Sequence, residues 1–229
     1  MFKPTFYEFF AGAGMVRAGL GEGWLCTFAN DFDRKKGLTY QNNWGAGSIE
    51  VDDIRNVKIS KLPGTADLAW GSFPCQDLSL AGGGAGLRGE RSGTFYPFWD
   101  LIGELKGVDR APKVIALENV NGALTSHGGK DFTAICQTFH QNGYRYGALV
   151  IDAALFVPQS RPRLFIVGVR DAIEIDSSLT SPGPTMPFHT RAVRTAVNKI
   201  GSAEASSWPR TKLPTPPSTP STIPTHDST

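Results

Sequence analysis

"FYEFFAGAGMVRAGL", Phe6 to Leu20, carries an aromatic and apolar run into Gly12 and Gly14 and out again into residues spaced for a helix. A strand that breaks on glycine and opens a helix is the first unit of an open α/β sheet, and a ligand can approach the backbone at such a turn. The dinucleotide fingerprint needs a third glycine where Arg17 stands, so the turn alone reads as a cofactor loop or as a plain strand-to-helix connection. The same arginine counts against a nicotinamide dehydrogenase.

Outward from this unit, short apolar strands alternate with helical stretches from Thr5 to about Arg170, the pattern of an α/β sheet with helices on both faces. The spacing predicts strands over Thr5–Phe9, Leu25–Asn30, Asp67–Gly71, Lys113–Glu118, Tyr146–Asp152 and Arg163–Val169. It predicts helices over Val16–Glu22, Arg34–Asn43, Phe98–Lys106 and Lys130–Asn142, with one more short helix in "RAVRTAVNKI". No helix fits between the last two strands. They are expected to form an antiparallel hairpin, giving a mostly parallel central sheet with one antiparallel strand near an edge.

The chain of 229 residues is long enough for one sizeable domain, and a net charge of +2 neither announces nor excludes nucleic acid. Cys26, Cys75 and Cys136 form neither a CxxC pair nor a zinc-like array, which fits a reducing, cytoplasmic setting and no metal site. The N-terminus lacks the uninterrupted apolar core of a signal peptide, and no apolar run reaches membrane-spanning length, so no membrane partner is expected. The end, "TKLPTPPSTPSTIPTHDST", is a Pro/Ser/Thr segment whose composition predicts disorder.

Candidate site residues gather at predicted strand ends. Asp31 follows the glycines by about 20 residues, where an acid can accept hydrogen bonds from a ribose. Phe32 beside it reads as a stacking platform or as core, and Asp53 and Ile54 as the opposite wall of a base site or as a solvated turn. In "GSFPCQDLS" Pro74 stiffens the turn that presents Cys75, at the carboxyl end of a strand, where open α/β sheets build their sites. Cys26 and Cys136 sit in apolar patterns and read as small hydrophobes. Glu118 ends the strand "VIALENV" and reads as a site acid, a helix cap or the partner of an arginine. Arg161 and Arg163, two apart, would point to one face of an extended strand and grip carbonyl, carboxylate or phosphate oxygens, or form a simple strand-edge charge pair.

In their order and separation, FAGAG at Phe10 to Gly14, Asp31, Asp53-Ile54, SFPCQ with Ser79, ENV at Glu118 to Val120 and QSRPR at Gln159 to Arg163 match one family. Over about residues 4 to 170 the chain resembles the DNA (cytosine-5)-methyltransferases. The resemblance implies a Rossmann-like methyltransferase fold, S-adenosylmethionine as cofactor and double-stranded DNA as partner, in the setting of restriction and modification. It implies that Phe10, Ala11, Gly12, Gly14, Asp31, Phe32, Asp53, Ile54 and Pro74 form the cofactor site. It implies that Cys75 attacks C6 of a flipped cytosine, that Glu118 meets N3 and the exocyclic amine, and that Arg163 holds the O2 side with Arg161 in support. Gln76, Ser79, Arg88, Arg91 and Ser92, on or beside the glycine-rich stretch "LAGGGAGLRGERSGTFY", would face substrate or DNA.

The domain organisation expected is a catalytic domain over 1–175, a connection over 176–207 and the tail over 208–229. The family normally continues into a recognition region and two further motifs, which are not legible here. That suggests a second polypeptide or self-association to supply them. A catalytically silent remnant that only binds DNA or protein is the competing expectation.

Overall fold

The computed structural model describes residues 2–74, 92–181, 188–200 and 208–209. Its centre is a strand with no polar face. In β1 (Thr5–Phe9) Phe6, Tyr7, Glu8 and Phe9 are all buried, because parallel strands in such sheets are covered on both sides. Around it run β2 (Leu25–Asp31), β3 (Glu50–Val51), β4 (Leu68–Gly71), β5 (Val114–Val120), β6 (Tyr144–Asp152) and β7 (Pro162–Arg170). The sheet order is β3-β2-β1-β4-β5-β7-β6. Every pair is parallel except β5 with β7 and β6 with β7, so β7 is the one reversed strand and sits one place in from the edge. The expected α/β sheet with an antiparallel pair is what forms. The two-residue β3 lay below the length at which periodicity shows.

Helices α1 (Met15–Leu20), α2 (Arg34–Trp44), α3 (Phe95–Gly107), α4 (Lys130–Gln141) and α5 (Arg191–Asn198) connect or flank the strands. Asp33 caps α2 by accepting the N–H groups of Lys35 and Lys36, and those bonds hold its carboxyl below the usual range. Helix α3 begins earlier than its spacing suggested, because Pro97 falls in the first turn, where a missing N–H costs nothing. Its Phe95, Phe98, Trp99, Leu101, Ile102 and Leu105 are buried.

The largest core cluster is strongly aromatic. Phe139 of α4 lies fully buried, with ring centres 4.9 Å from Trp99 and 5.8 Å from Tyr146. Truncating such a ring to alanine typically costs about 3–5 kcal/mol. Gly168 of β7 lets α4 come this close, since a Cβ there would overlap the Phe139 ring. Cys136 is buried in the same cluster. So are Val193, Ala196, Val197 and Ile200, and the Phe188 carbonyl accepts the Val150 N–H at 2.9 Å. Apolar burial thus binds α5 to the main core. Trp208–Pro209, assigned by composition to the tail, pairs antiparallel with Thr180–Ser181. Among the described residues no helix is long and apolar enough to cross a membrane.

Candidate active site

The site lies along the edge where β1, β2, β4 and β5 end and where β7, running backwards, begins. On the β1–β2 side the backbone makes the first feature. Phe10 has φ 57, Gly12 φ 58 and Gly14 φ 84, three left-handed conformations within five residues. For a bulky aromatic this costs on the order of 1–3 kcal/mol, so the surrounding packing must hold it. The Ala11 N–H donates to the Asn30 carbonyl at 3.0 Å, and the Gly14 N–H to the Ala11 carbonyl at 2.9 Å. Ala11 itself is buried against Ala29, Tyr40 and Ile49, beneath the turn.

Asp31 ends β2, nearly fully buried, and ties this turn to the next one. Its Oδ2 accepts the Gly12 N–H and its Oδ1 the Asp33 N–H, each at 2.9 Å. Each carboxylate oxygen keeps a lone pair for a ligand hydroxyl. Phe32 is 65% exposed and belongs to no core cluster, so it stands open at the cleft. Asp53 precedes the turn Ile54–Asn56, where its Oδ1 accepts the Arg55 N–H and its Oδ2 pairs with Arg55 Nη1, both at 2.9 Å. Ile54 is buried.

Phe10, Phe32, Asp53, Ile54 and Pro74 line one cleft of about 570 Å³, with Asn30, Asp33, Lys36, Arg55 and Thr94 completing its wall. That volume suits a nucleoside-sized ligand. Its lining combines two aromatic rings and an aliphatic residue with the carboxylates of Asp33 and Asp53 and the cations of Lys36 and Arg55. Asn30 went unassigned in the sequence. It is buried in the strand and its Nδ2 donates to the Glu50 and Asp52 carbonyls at 3.1 and 2.9 Å, which fixes the wall bearing Asp53. The available signal was an amide inside an otherwise apolar strand.

On the β5–β7 side, antiparallel register sets Val120 opposite Arg163 and Glu118 opposite Phe165. This brings Arg163 Nε to 3.0 Å from Glu118 Oε1, with both side chains still about a fifth to a quarter exposed. The structure thus joins the acid and one of the two arginines. Arg161 lies just before the strand and is exposed; its N–H donates to Asp152. Asp152 organises the whole connection between β6 and β7, accepting also from the Ala154 N–H at 3.0 Å and Ser160 Oγ at 2.8 Å. These bonds hold its carboxyl below the usual range.

Asn119 joins the two halves. Buried between Glu118 and Val120, it donates from Nδ2 to the Phe73 carbonyl at 3.2 Å and accepts the Val120 N–H at 2.8 Å. It thereby anchors the segment that leads to Pro74. Cys75, Gln76, Ser79, Arg88 and Arg91 lie outside the described residues. Of Ser92 the backbone alone is described, in the turn Ser92–Thr94 that leads into α3. Cys26 is half-buried, its Sγ 3.4 Å from the Phe28 carbonyl and 3.5 Å from Tyr40 Oη, and burial pushes its thiol up, away from a nucleophile's range.

Residues 4–215 match the family described as C-5 cytosine-specific DNA methylase. The chain belongs to that family. It is 36% identical over 180 residues to the Type II methyltransferase M.Bsp6I of Bacillus sp. (strain RFL6), covering 76% of this chain and 55% of that protein. It is 34% identical over 180 residues to the Type II methyltransferase M.PspPI of Psychrobacter sp. (strain TA137), covering 77% of this chain and 42% of that one. The chain thus spans about half the length of the curated relatives it matches. Among solved structures it resembles the Dnmt2 methyltransferase of S. pombe, with a TM-score of 0.58 at 19% identity over 76% of this chain and 53% of that one. The Entamoeba histolytica methyltransferase EhMeth gives a TM-score of 0.59 at 19% identity over 77% of this chain and 56% of that one. These two likenesses establish the Rossmann-like methyltransferase fold.

Proposed function

We propose that this chain is the catalytic part of a DNA cytosine-5 methyltransferase, which methylates C5 of a cytosine turned out of double-stranded DNA. The observation that carries the proposal is the Glu118–Arg163 pair, 3.0 Å apart at the sheet edge and tied through Asn119 to the segment that ends at Pro74, beside Cys75 in the chain. The cleft residues Phe10, Phe32, Asp53 and Ile54, with Asp31 beside them at the end of β2, would hold S-adenosylmethionine. When bound, that cofactor supplies an electrophilic methyl group.

The chain's own residues do the rest. Cytosine C6 is electron-poor enough to accept a thiolate, and addition of Cys75 there makes C5 a nucleophile, as in an enamine. Negative charge builds toward N3 and O2 as the thiolate adds. Glu118 meets it by carrying a proton that it donates to N3 while its other oxygen accepts from the exocyclic amine, and Arg163 by donating to O2, while their mutual contact holds both in place. Once C5 has taken up the methyl group, removal of the C5 proton by a base returns its electron pair to the ring, breaks the C6–S bond and frees Cys75 as the thiolate. Neither C5 nor C6 can meet thiol and cofactor inside a stacked duplex, so the base must be extruded. Gln76, Ser79, Arg88, Arg91, Ser92 and Arg161 are proposed to face the substrate or its phosphates. The Type II names of the relatives support a role in restriction and modification.

Methyl transfer from labelled S-adenosylmethionine to duplex DNA tests this, using wild type and Cys75→Ala, alone and with a candidate second polypeptide for target recognition. The expected result is label on DNA that disappears in Cys75→Ala. No label under any combination, from folded protein that binds the cofactor, would overturn the catalytic reading. Label on RNA and not on DNA would overturn the substrate.

A further inference from the structure

Outside the cleft lining, next to the glycine turn, lies a polar cluster that the proposed chemistry does not use. Glu8 sits in the middle of β1 with no exposed surface, beside Ala29 of β2 and Trp70 of β4 in register. Its Oε2 accepts a hydrogen bond from Tyr40 Oη at 3.0 Å. Tyr40, on α2, is also fully buried. The Arg17 guanidinium lies 4.7 Å from the Trp44 ring centre and 6.0 Å from that of Tyr40. Tyr40 and Trp44 together fill the space beside Gly14: a Cβ there would overlap the Trp44 indole and come within 2.9 Å of Tyr40 Cε2.

Contact therefore runs without a gap from Glu8 to the Tyr40 hydroxyl, from the Tyr40 ring to Gly14, and from Gly14 to the turn whose Gly12 N–H meets Asp31. We propose that Glu8 and Tyr40 are positioning residues for the cofactor turn: the Tyr40 ring is the stop against which Gly14 rests, and the Glu8 carboxyl fixes that ring through its hydroxyl. The proposal rests on the reading of the cleft as the S-adenosylmethionine site.

A buried carboxyl in this place also makes the stop sensitive to pH. Burial pushes Glu8 up to about 7, and the Tyr40 hydroxyl, the Arg17 and Val16 N–H groups and the Arg17 charge offset only part of that. The groups facing it are Tyr40 from α2, Arg17 from α1 and Cys26 from β2, while β4 contributes the uncharged Trp70. Burial raises Tyr40 and Cys26 further from neutrality, so Glu8 is the group that changes state. Its ionised form is stabilised by drawing Arg17 off Trp44 or by admitting water between β1 and α2. Either loosens the stop.

The experiment is equilibrium binding of S-adenosylmethionine to the full chain between pH 6 and 8.5, for wild type, Glu8→Gln and Tyr40→Phe. Wild-type affinity is expected to fall about fivefold across this range with a midpoint near 7, a coupling of ordinary size. Glu8→Gln keeps the shape and an acceptor for Tyr40, so its affinity should be flat with pH. Tyr40→Phe keeps the ring and should bind about three- to tenfold more weakly than wild type at pH 6, without a step near 7 of wild-type size. Parallel pH profiles for wild type and Glu8→Gln would overturn the proposal. So would unchanged affinity in Tyr40→Phe; if that variant does not fold, Glu8→Gln decides alone. A folded wild type that binds no cofactor at any pH would overturn the cofactor reading and this proposal with it, whereas binding indifferent to both substitutions overturns only this one.

Discussion

Phe10, Asp31 and Asp53 reach the working edge from the ends of parallel strands or from the turns that follow them; Glu118 and Arg163 reach it because β7 runs the other way. In the first half of the sheet each group arrives with its own turn and is held by short-range bonds, such as Asp31 to Asp33 and Asp53 to Arg55. In the second half the two groups come from distant segments and meet only if the β5–β7 register is right. The first half is sensitive to backbone conformation and the second to pairing, so substitutions should separate them.

The largest separation is expected at the β5–β7 edge. Arg163→Ala and Glu118→Gln should each lower methyl transfer by about 10²–10⁴-fold, the usual worth of a placed proton-handling or charge-stabilising group. The dissociation constant for S-adenosylmethionine, measured alongside, should move less than about twofold. A parallel loss of cofactor affinity would break the division.

Gly14→Ala attacks the other half. The left-handed φ and the overlap with Trp44 together predict a loss on the order of 3 kcal/mol in urea unfolding, with cofactor affinity falling as the turn shifts. Of nearly the same size, but dependent on pH, is the gain expected from Glu8→Gln. The carboxyl ionises near 4.5 in the unfolded chain and near 7 in the fold. Its burial therefore costs nothing below about pH 4.5, costs more as pH rises to about 7, and is constant above, at about 3 kcal/mol. The stability of Glu8→Gln relative to wild type should grow over that window and then level. A difference that is flat from pH 4 to 8 would show that the site is solvated.

A smaller effect falls on the joint between the halves. Asn119→Ala leaves the Phe73 carbonyl and the Val120 N–H unpaired and should cost about 1–3 kcal/mol, with methyl transfer dropping more than cofactor affinity. Smallest of all, Lys61→Ala removes a solvent-exposed pair with Glu50 and should change stability by less than about 1 kcal/mol. A larger change would mean that the β3 edge supports the cleft more than its exposure suggests.

Much of the sheet was legible because its strands are apolar runs bounded by Gly, Pro and Asp, and the six longer strands form within a few residues of where spacing puts them. What escaped notice was short or depended on distant neighbours. Two residues are too few for β3 to show a period, and α5 looked like the start of a connection because its burial depends on β6 and α4, which are remote in the chain. Asn119 and Asp152 likewise carry little local sign of their work, since each also binds a group more distant in the chain: the Phe73 carbonyl for Asn119, and the Arg161 N–H and Ser160 hydroxyl for Asp152.

By itself the sequence determined the α/β alternation, the glycine turn, the reversed pair at the end of the sheet and the family, because these are written in local periodicity and in short motifs whose order survives without coordinates. Tertiary structure alone decided that Phe32 stands open, that Asp31 knots two turns together, that Glu118 meets Arg163 and not Arg161, and that Glu8 is buried beside the glycine turn. Each of these depends on strand register or on burial, and both are properties of segments brought together across the chain.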